Sequence, residues 1–191
     1  AAMASDAHVI ALHLTRPPIQ VPDREALGMA SHFEAAKGAY LIRDYKPGQP
    51  KMGTILVQGT MSTYNTVRLL PKLDELGLNV KLVAAVSAEL FLLQPESYRN
   101  SLITPADRLD LTYITNGSRR LMRDWITHRI ADEYAMSSDF DNRWRTGGTV
   151  DEVLEEAHLS QRWLIEGIQR FAGERERRLA RIKEELSAAL G

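Results

Sequence analysis

Apolar residues are densest between Thr54 and Leu102, and their spacing changes along that stretch. TILVQ at 54–58 and NVKLVAAV at 79–86 are short, β-rich and nearly continuous, as strands buried on both faces are. Between them, Ser62–Leu76 alternates apolar and polar residues at helical spacing. Strand, helix, strand in this order predicts a right-handed βαβ crossover in a parallel sheet. Ser62 or Thr63 is the expected N-cap. Pro71 lies inside the helical pattern, where its missing N–H and its ring should kink or split the helix.

The same reading extends outward from that unit. HVIALHLT at 8–15 has the alternation of a strand, and Thr15–Asp23, with Pro17, Pro18 and Pro22, reads as an extended linker. Asp23 is expected to cap a helix from Arg24 to about Ala35, followed by a strand at 38–45 and a turn at 46–53. Pro95 and Pro105 each open a helical turn, as proline in a first turn does. Asp110–Thr115 reads as a third core strand. Ser118 is expected to cap a helix to about Thr127, and Glu133–Met136 reads as a weaker strand, antiparallel at a sheet edge. Thr149 with Glu152 makes a capping box, and Ser160 opens a helix read as continuous to Leu190. Its apolar stripe runs through Leu164, Ile168 and Phe171, then Leu179, Ile182, Leu186 and Leu190. The run Glu174–Arg178 mixes both signs and reads as a solvated face. Packing on its own domain is expected, because too few heptads exist for a coiled coil. Together the elements give an α/β domain with a three-layer, mostly parallel sheet and one antiparallel edge strand.

Composition narrows the function classes. The chain has 191 residues, 44% of them apolar, which is enough for one sizeable core. The formal charge of −1 gives no reason to expect nucleic acid or an anionic membrane as partner. Cysteine is absent, so disulfides, thiolate nucleophiles and sulfur-ligated zinc are excluded. No apolar run reaches the roughly 20 residues of a membrane-spanning helix, and a cytoplasmic protein is expected.

A more specific signal follows the second strand. Ser87, Glu89, Leu90, Phe91, Gln94, Glu96, Tyr98 and Arg99 stand in a spacing that resembles the C-terminal domain of transketolases. That family carries Ser-x-Glu-Leu-Phe, x-Gln and a later Tyr-Arg there. HVIALHLTR at 8–16 resembles the end of the family's pyrimidine-binding domain. Lys37–Leu41 resembles the strand that opens its C-terminal domain, and Thr146–Leu154 resembles its Gly-rich turn and late helix. The resemblance covers roughly residues 8–171. Pro17-Pro18 replaces the family's Gln-Asn, Thr127–Trp144 is longer and more polar, and the helix past Ala172 is an extension.

The resemblance implies two parts. Residues 1–22 would be a strand and linker from the end of an upstream pyrimidine domain, with Ala1–Ser5 left by cloning. Residues 23–191 would be the C-terminal-like domain. It also implies a parent enzyme that moves a two-carbon ketol unit between sugar phosphates with thiamine diphosphate and a divalent metal, magnesium or calcium. This domain would be structural, supporting a homodimer and bracing upstream diphosphate- and pyrimidine-binding domains or a separate subunit. Arg16 would bind substrate phosphate in the intact enzyme, a role suited to a guanidinium fork. The family's Gly-Asp-Gly and Asn-Asn are absent, so this chain is expected to bind no cofactor and to be inactive alone. The alternatives are the matching domain of a 2-oxo-acid dehydrogenase and a stand-alone interaction module.

Other candidate chemistry is sparse. Gly59–Thr63, at the strand-to-helix turn, offers backbone N–H groups to an anion but lacks a dinucleotide fingerprint. His8, His13, His32, His128 and His158 form no i,i+4 pair for a metal. Asp139, Asp141 and Asn142 crowd together without a calcium-loop pattern, and a polar loop is expected.

Overall fold

The computed structural model describes residues 2–4, 6, 8–14 and 17–190. Its centre is a five-stranded sheet: β1 (Ala39–Arg43), β2 (Thr54–Gln58), β3 (Lys81–Ala85), β4 (Leu111–Thr115) and β5 (Met136–Ser137), in the order β1-β3-β2-β4-β5. β2 is central and pairs in parallel with both β3 and β4, with Thr54 opposite Lys81 on one side and Leu111 on the other.

The period-two alternation of the strands makes two cores. Tyr40, Ile42, Ile55, Val57, Leu82, Ala84 and Ile114 face one side, and Ala39, Leu56, Val83, Ala85 and Tyr113 the other. The larger core is covered by α1 (Thr60–Arg68), α2 (Leu70–Glu75), α8 (Gln161–Gly173) and α9 (Arg175–Leu190). The smaller is covered by α3 (Ala88–Leu92), α4 (Glu96–Leu102) and the segment holding Met122 and Trp125. Between them in the chain lie α5 (Pro105–Leu109), α6 (Ile130–Glu133) and α7 (Val150–Glu156). Fully buried side chains such as Leu73, Phe171 and Ile168 each contribute roughly 1.5–3 kcal/mol.

Several expectations are met in detail. The crossover helix is split before Pro71, which takes an early position in α2, where its missing N–H costs nothing. Thr149 and Glu152 close a reciprocal capping box. Thr104 and Asp107 close another one on α5.

Others are corrected. The antiparallel edge strand is β1, paired with β3, whereas β5 is parallel to β4. The connection from β4 to β5 includes α6 and is long enough for a crossover, which a parallel pair requires. Glu133 itself ends α6 rather than opening a strand. The helix expected from Arg24 to Ala35 is a turn that stops at Gly28, followed by a 3₁₀ helix, His32–Lys37, capped by Ser31. α1 starts two residues before Ser62, with Gly59 in the N-cap position. The helix after Ser118 shrinks to a 3₁₀ helix, Arg119–Met122, and Met122 and Trp125 enter the smaller core. The last helix is broken at Glu174, whose carboxylate accepts the Tyr134 hydroxyl. Residues 8–14 form no ladder. Val9, Leu12 and Leu14 are exposed, because a strand needs a neighbour and the described residues offer none there.

Candidate functional site

In open α/β sheets, ligands bind outside the carboxyl ends of the strands where the strand order reverses. Here β2 sends α1 and α2 across one face to reach β3, and the chain then returns over the other face to β4. The reversal lies between β2 and β4, so Gln58-Gly59 and Thr115-Asn116 meet at the candidate site.

The groups that meet there are neutral. Thr115 Oγ1 donates to Gln58 Oε1 across the two strands and accepts from the Gly117 N–H at 3.0 Å. Ser62 Oγ, in the first turn of α1, donates to Asn116 Oδ1 at 3.3 Å. Gly59 has φ 91° and ψ 150°, a region essentially reserved for glycine. A Cβ at that position would fall on Asn116 Oδ1. The turn at Gly59–Thr63, whose backbone N–H groups the sequence offers to an anion, is therefore covered by the Asn116 amide.

Charge appears only on the outer flank. Asp139 accepts from Ser118 Oγ at 3.0 Å and from the Arg119 N–H at 3.1 Å, and it pairs with the Arg119 guanidinium. Burial alone would raise its pKa, but these donors hold it below the ordinary aspartate value. Asp141 pairs with Arg145 at 2.6 Å and Arg143 at 2.8 Å, and Arg145 above all holds its carboxyl far below the usual range. Asn142 takes an arginine N–H as well. The crowded Asp139-Asp141-Asn142 loop is thus committed to arginines. Among the described residues, no group of three His, Asp or Glu side chains is placed to hold a metal.

The histidines are also accounted for. His158 stacks between Phe140 and Trp163, at 4.2 and 3.8 Å. His32 lies against Phe33, and the His128 ring contacts the Leu109 carbonyl at 2.9 Å. His8 and His13 are exposed. Arg16 lies outside the described residues.

Buried charge sits at the opposite, amino end of the sheet. Lys81 Nζ and Asp107 Oδ2 pair at 3.0 Å, both buried. Thr54 Oγ1, the Tyr45 hydroxyl and the Thr104 N–H also donate to Asp107. Burial raises the Tyr45 hydroxyl well above its ordinary pKa, so it stays a donor. Arg178 of α9 is fully buried and pairs with Asp110 at 2.6 Å, and Arg175 holds the other Asp110 oxygen at 2.5 Å. The Arg178 guanidinium lies 3.7 Å above the Phe171 ring and donates to the Phe171 carbonyl. Arg178 belongs to the run read as solvated. Yet it follows Phe171 by seven residues and precedes Ile182 by four, which places it on the apolar stripe. That spacing was the available signal.

No family model matches the sequence, and the search of curated proteins returns no match. Solved structures do match. A transketolase mutant from Pichia stipitis is similar over 75% of this chain and 19% of its own, with TM-score 0.57 and 18% identity. Transketolase from Leishmania mexicana matches over 76% and 19%, with TM-score 0.56 and 16% identity. Transketolase from Campylobacter jejuni matches over 70% and 18%, with TM-score 0.52 and 17% identity. This chain thus spans about a fifth of the length of the transketolases it matches. At such identity the likeness is one of fold, and the fold is the α/β arrangement of a transketolase C-terminal-like domain.

Proposed function

We propose that this chain is the C-terminal structural and dimerisation domain of a transketolase-like enzyme and is not catalytic by itself. The observation that carries the reading is the fold match to about a fifth of much longer transketolases. The Ser87–Arg99 pattern supports it from the sequence side. Matched Pichia stipitis structures are complexes with xylulose 5-phosphate, fructose 6-phosphate and sedoheptulose 7-phosphate. The proposed parent reaction is accordingly transfer of a two-carbon ketol unit between sugar phosphates in the cytoplasm.

Thiamine diphosphate and its metal belong, in this reading, to the upstream domains or subunit. The residues described here do not fit them: the buried carboxylates Asp107 and Asp110 and the loop carboxylates Asp139 and Asp141 are engaged by arginines or lysine, and the carboxyl edge between β2 and β4 is lined by neutral amides and hydroxyls. Residues 1–22 are assigned to the end of the upstream domain. Exposure of Val9, Leu12 and Leu14 supports that, since such side chains become buried once a neighbouring domain pairs with the segment.

The test is reconstitution. This chain co-expressed with a polypeptide carrying the diphosphate- and pyrimidine-binding regions should give a homodimeric complex that transfers ketol units from xylulose 5-phosphate. Failure of the two to co-purify overturns the reading. Within that complex Arg16 is proposed to bind substrate phosphate. Arg16→Ala should raise KM for phosphorylated donors about tenfold or more, as loss of a charge-assisted contact does, and leave an unphosphorylated donor nearly unchanged.

A further inference from the structure

An asparagine side chain can be attacked by the backbone nitrogen of the residue that follows it, and the five asparagines of this chain differ in how far the fold permits that. Asn65 and Asn79 are buried, and their amide NH2 groups donate to carbonyls, Asn65 to that of Leu159 and Asn79 to those of Lys46, Gln49 and Pro50. Asn100 lies inside α4, where the helix fixes the next nitrogen, and its amide donates to Glu96 at 3.4 Å. Asn142 is followed by Arg143, whose side chain crowds the approach, and its amide oxygen takes an Arg119 N–H. Asn116 is followed by Gly117, the one Asn-Gly pair in the sequence.

The turn after β4 prepares the Asn116 amide for that attack. Asn116 is exposed, so water reaches it. Ser62 Oγ donates to Oδ1 at 3.3 Å and draws electron density from Cγ, the atom attacked. Among the described residues Nδ2 donates to no group, so nothing holds the leaving nitrogen. Gly117 has no Cβ to obstruct the approach of its own nitrogen. The backbone is held meanwhile, since the Ser138 hydroxyl lies 3.1 Å from both the Asn116 and the Gly117 carbonyls. One contact must open: the Gly117 N–H donates to Thr115 Oγ1 at 3.0 Å.

We propose that Asn116-Gly117 is a deamidation site, at which the folded chain exchanges a neutral amide for a carboxylate over the first turn of α1. Gly117 N gives its proton to solvent hydroxide and bonds to Asn116 Cγ. The Cγ–Nδ2 bond breaks, and Nδ2 takes a proton from water and leaves as ammonia. Water then opens the five-membered imide at either carbonyl, giving aspartate or its β-linked isomer. The net reaction consumes water and releases ammonia, with no oxidation or reduction. The new charge stands beside Gly59, the N-cap of α1, which supplies no side-chain cap of its own. There the Ser62 hydroxyl donates to an anion, and the positive end of the helix favours it. The neutral edge between β2 and β4 thereby gains a charge after folding.

The experiment incubates the full chain in mildly alkaline buffer, with and without urea, and follows the tryptic peptide Leu109–Arg119 by mass and by methyl transfer from an isoaspartate-specific methyltransferase. In the folded chain this peptide should pass from amide to acid, with ammonia released in equal amount, about tenfold or more faster than the peptides holding Asn100 and Asn142. Gly117→Ala tests the route. Gly117 has no positive φ, and the added Cβ would meet the end of the exposed Leu121 side chain at 2.8 Å, which can move, so the variant folds. It should deamidate about tenfold more slowly than the parent. Asn116→Asp carries the charge of the α-linked product and should melt at or above the parent temperature at neutral pH. The proposal is overturned if the chain converts in urea but not when folded, if Asn100 or Asn142 converts as fast as Asn116, or if Gly117→Ala keeps the parental rate. A lower melting temperature for Asn116→Asp overturns the placing of the charge on α1.

Discussion

The two ends of β2 differ in how they are closed. Each end is flanked by a glycine of positive φ, Gly53 at 103° and Gly59 at 91°. Beyond Gly53 the chain buries charge: Asp107 with Lys81, and Asp110 with Arg178, under the ring of Phe171. Beyond Gly59 it places neutral amides and hydroxyls: Asn116, Gln58, Thr115 and Ser62. An α/β enzyme usually presents its chemistry at the carboxyl end. Here that end carries no ionisable group between β2 and β4, and the costly desolvated charges serve to tie α5 and α9 to the sheet. These buried ion pairs hold elements together, as the proposed bracing role requires.

The largest effects should therefore come from the amino end. Asp110→Ala leaves Arg178 buried without a counter-charge and should cost about 3–5 kcal/mol in urea unfolding. Arg178→Met should cost less, because Asp110 keeps Arg175. Equal costs would mean that the second arginine contributes nothing to Asp110. Gly53→Ala belongs with this group. Its Cβ would meet the Phe171 ring at 2.6 Å, and that ring is buried and cannot swing aside, so strain and overpacking add to about 4 kcal/mol.

The carboxyl end should yield more easily. Gly59→Ala forces the same kind of backbone strain, but the obstacle is the end of an exposed amide, Asn116, which can rotate away. About 2–3 kcal/mol is expected. Adding Asn116→Ala to Gly59→Ala should recover the steric part and leave the φ part. If Gly59→Ala costs as much as Gly53→Ala, the two ends are equally rigid and the contrast between them fails.

How far the sequence announced this contrast can be traced through particular residues. The strands of the βαβ unit, the break at Pro71 and the Thr149 capping box were legible, because each rests on local spacing or on one residue's covalent geometry. The direction of β5 was not, because pairing depends on a crossover path and not on the strand's own residues. Arg178 was misread for a similar reason. A charge run has a solvated face by default, and only the register with Phe171 and Ile182 shows that one member points inward. Asn116 carried no signal at all, since its role depends on which strand lies beside β4.

The smallest expected effect concerns acid. Burial would raise the Asp107 pKa, but the Thr104 N–H and the Lys81 ammonium outweigh it and hold the carboxyl below its ordinary value. A depressed folded pKa means stability that is complete above the unfolded value, near pH 4, and is lost as pH falls through the folded one. Lys81→Met removes one of the groups that lower it, so the folded pKa rises toward the unfolded one and protonation of Asp107 costs the variant less than the parent. The variant should be destabilised at neutral pH, and its gap from the parent should narrow as pH is lowered from 6 to 3 in thermal melts at fixed ionic strength. Comparing the two proteins at each pH cancels the acid response of every other carboxylate. A gap that stays constant with pH would show that Lys81 does not set the ionisation of Asp107, and that the amino end of β2 is held by packing and not by its buried charges.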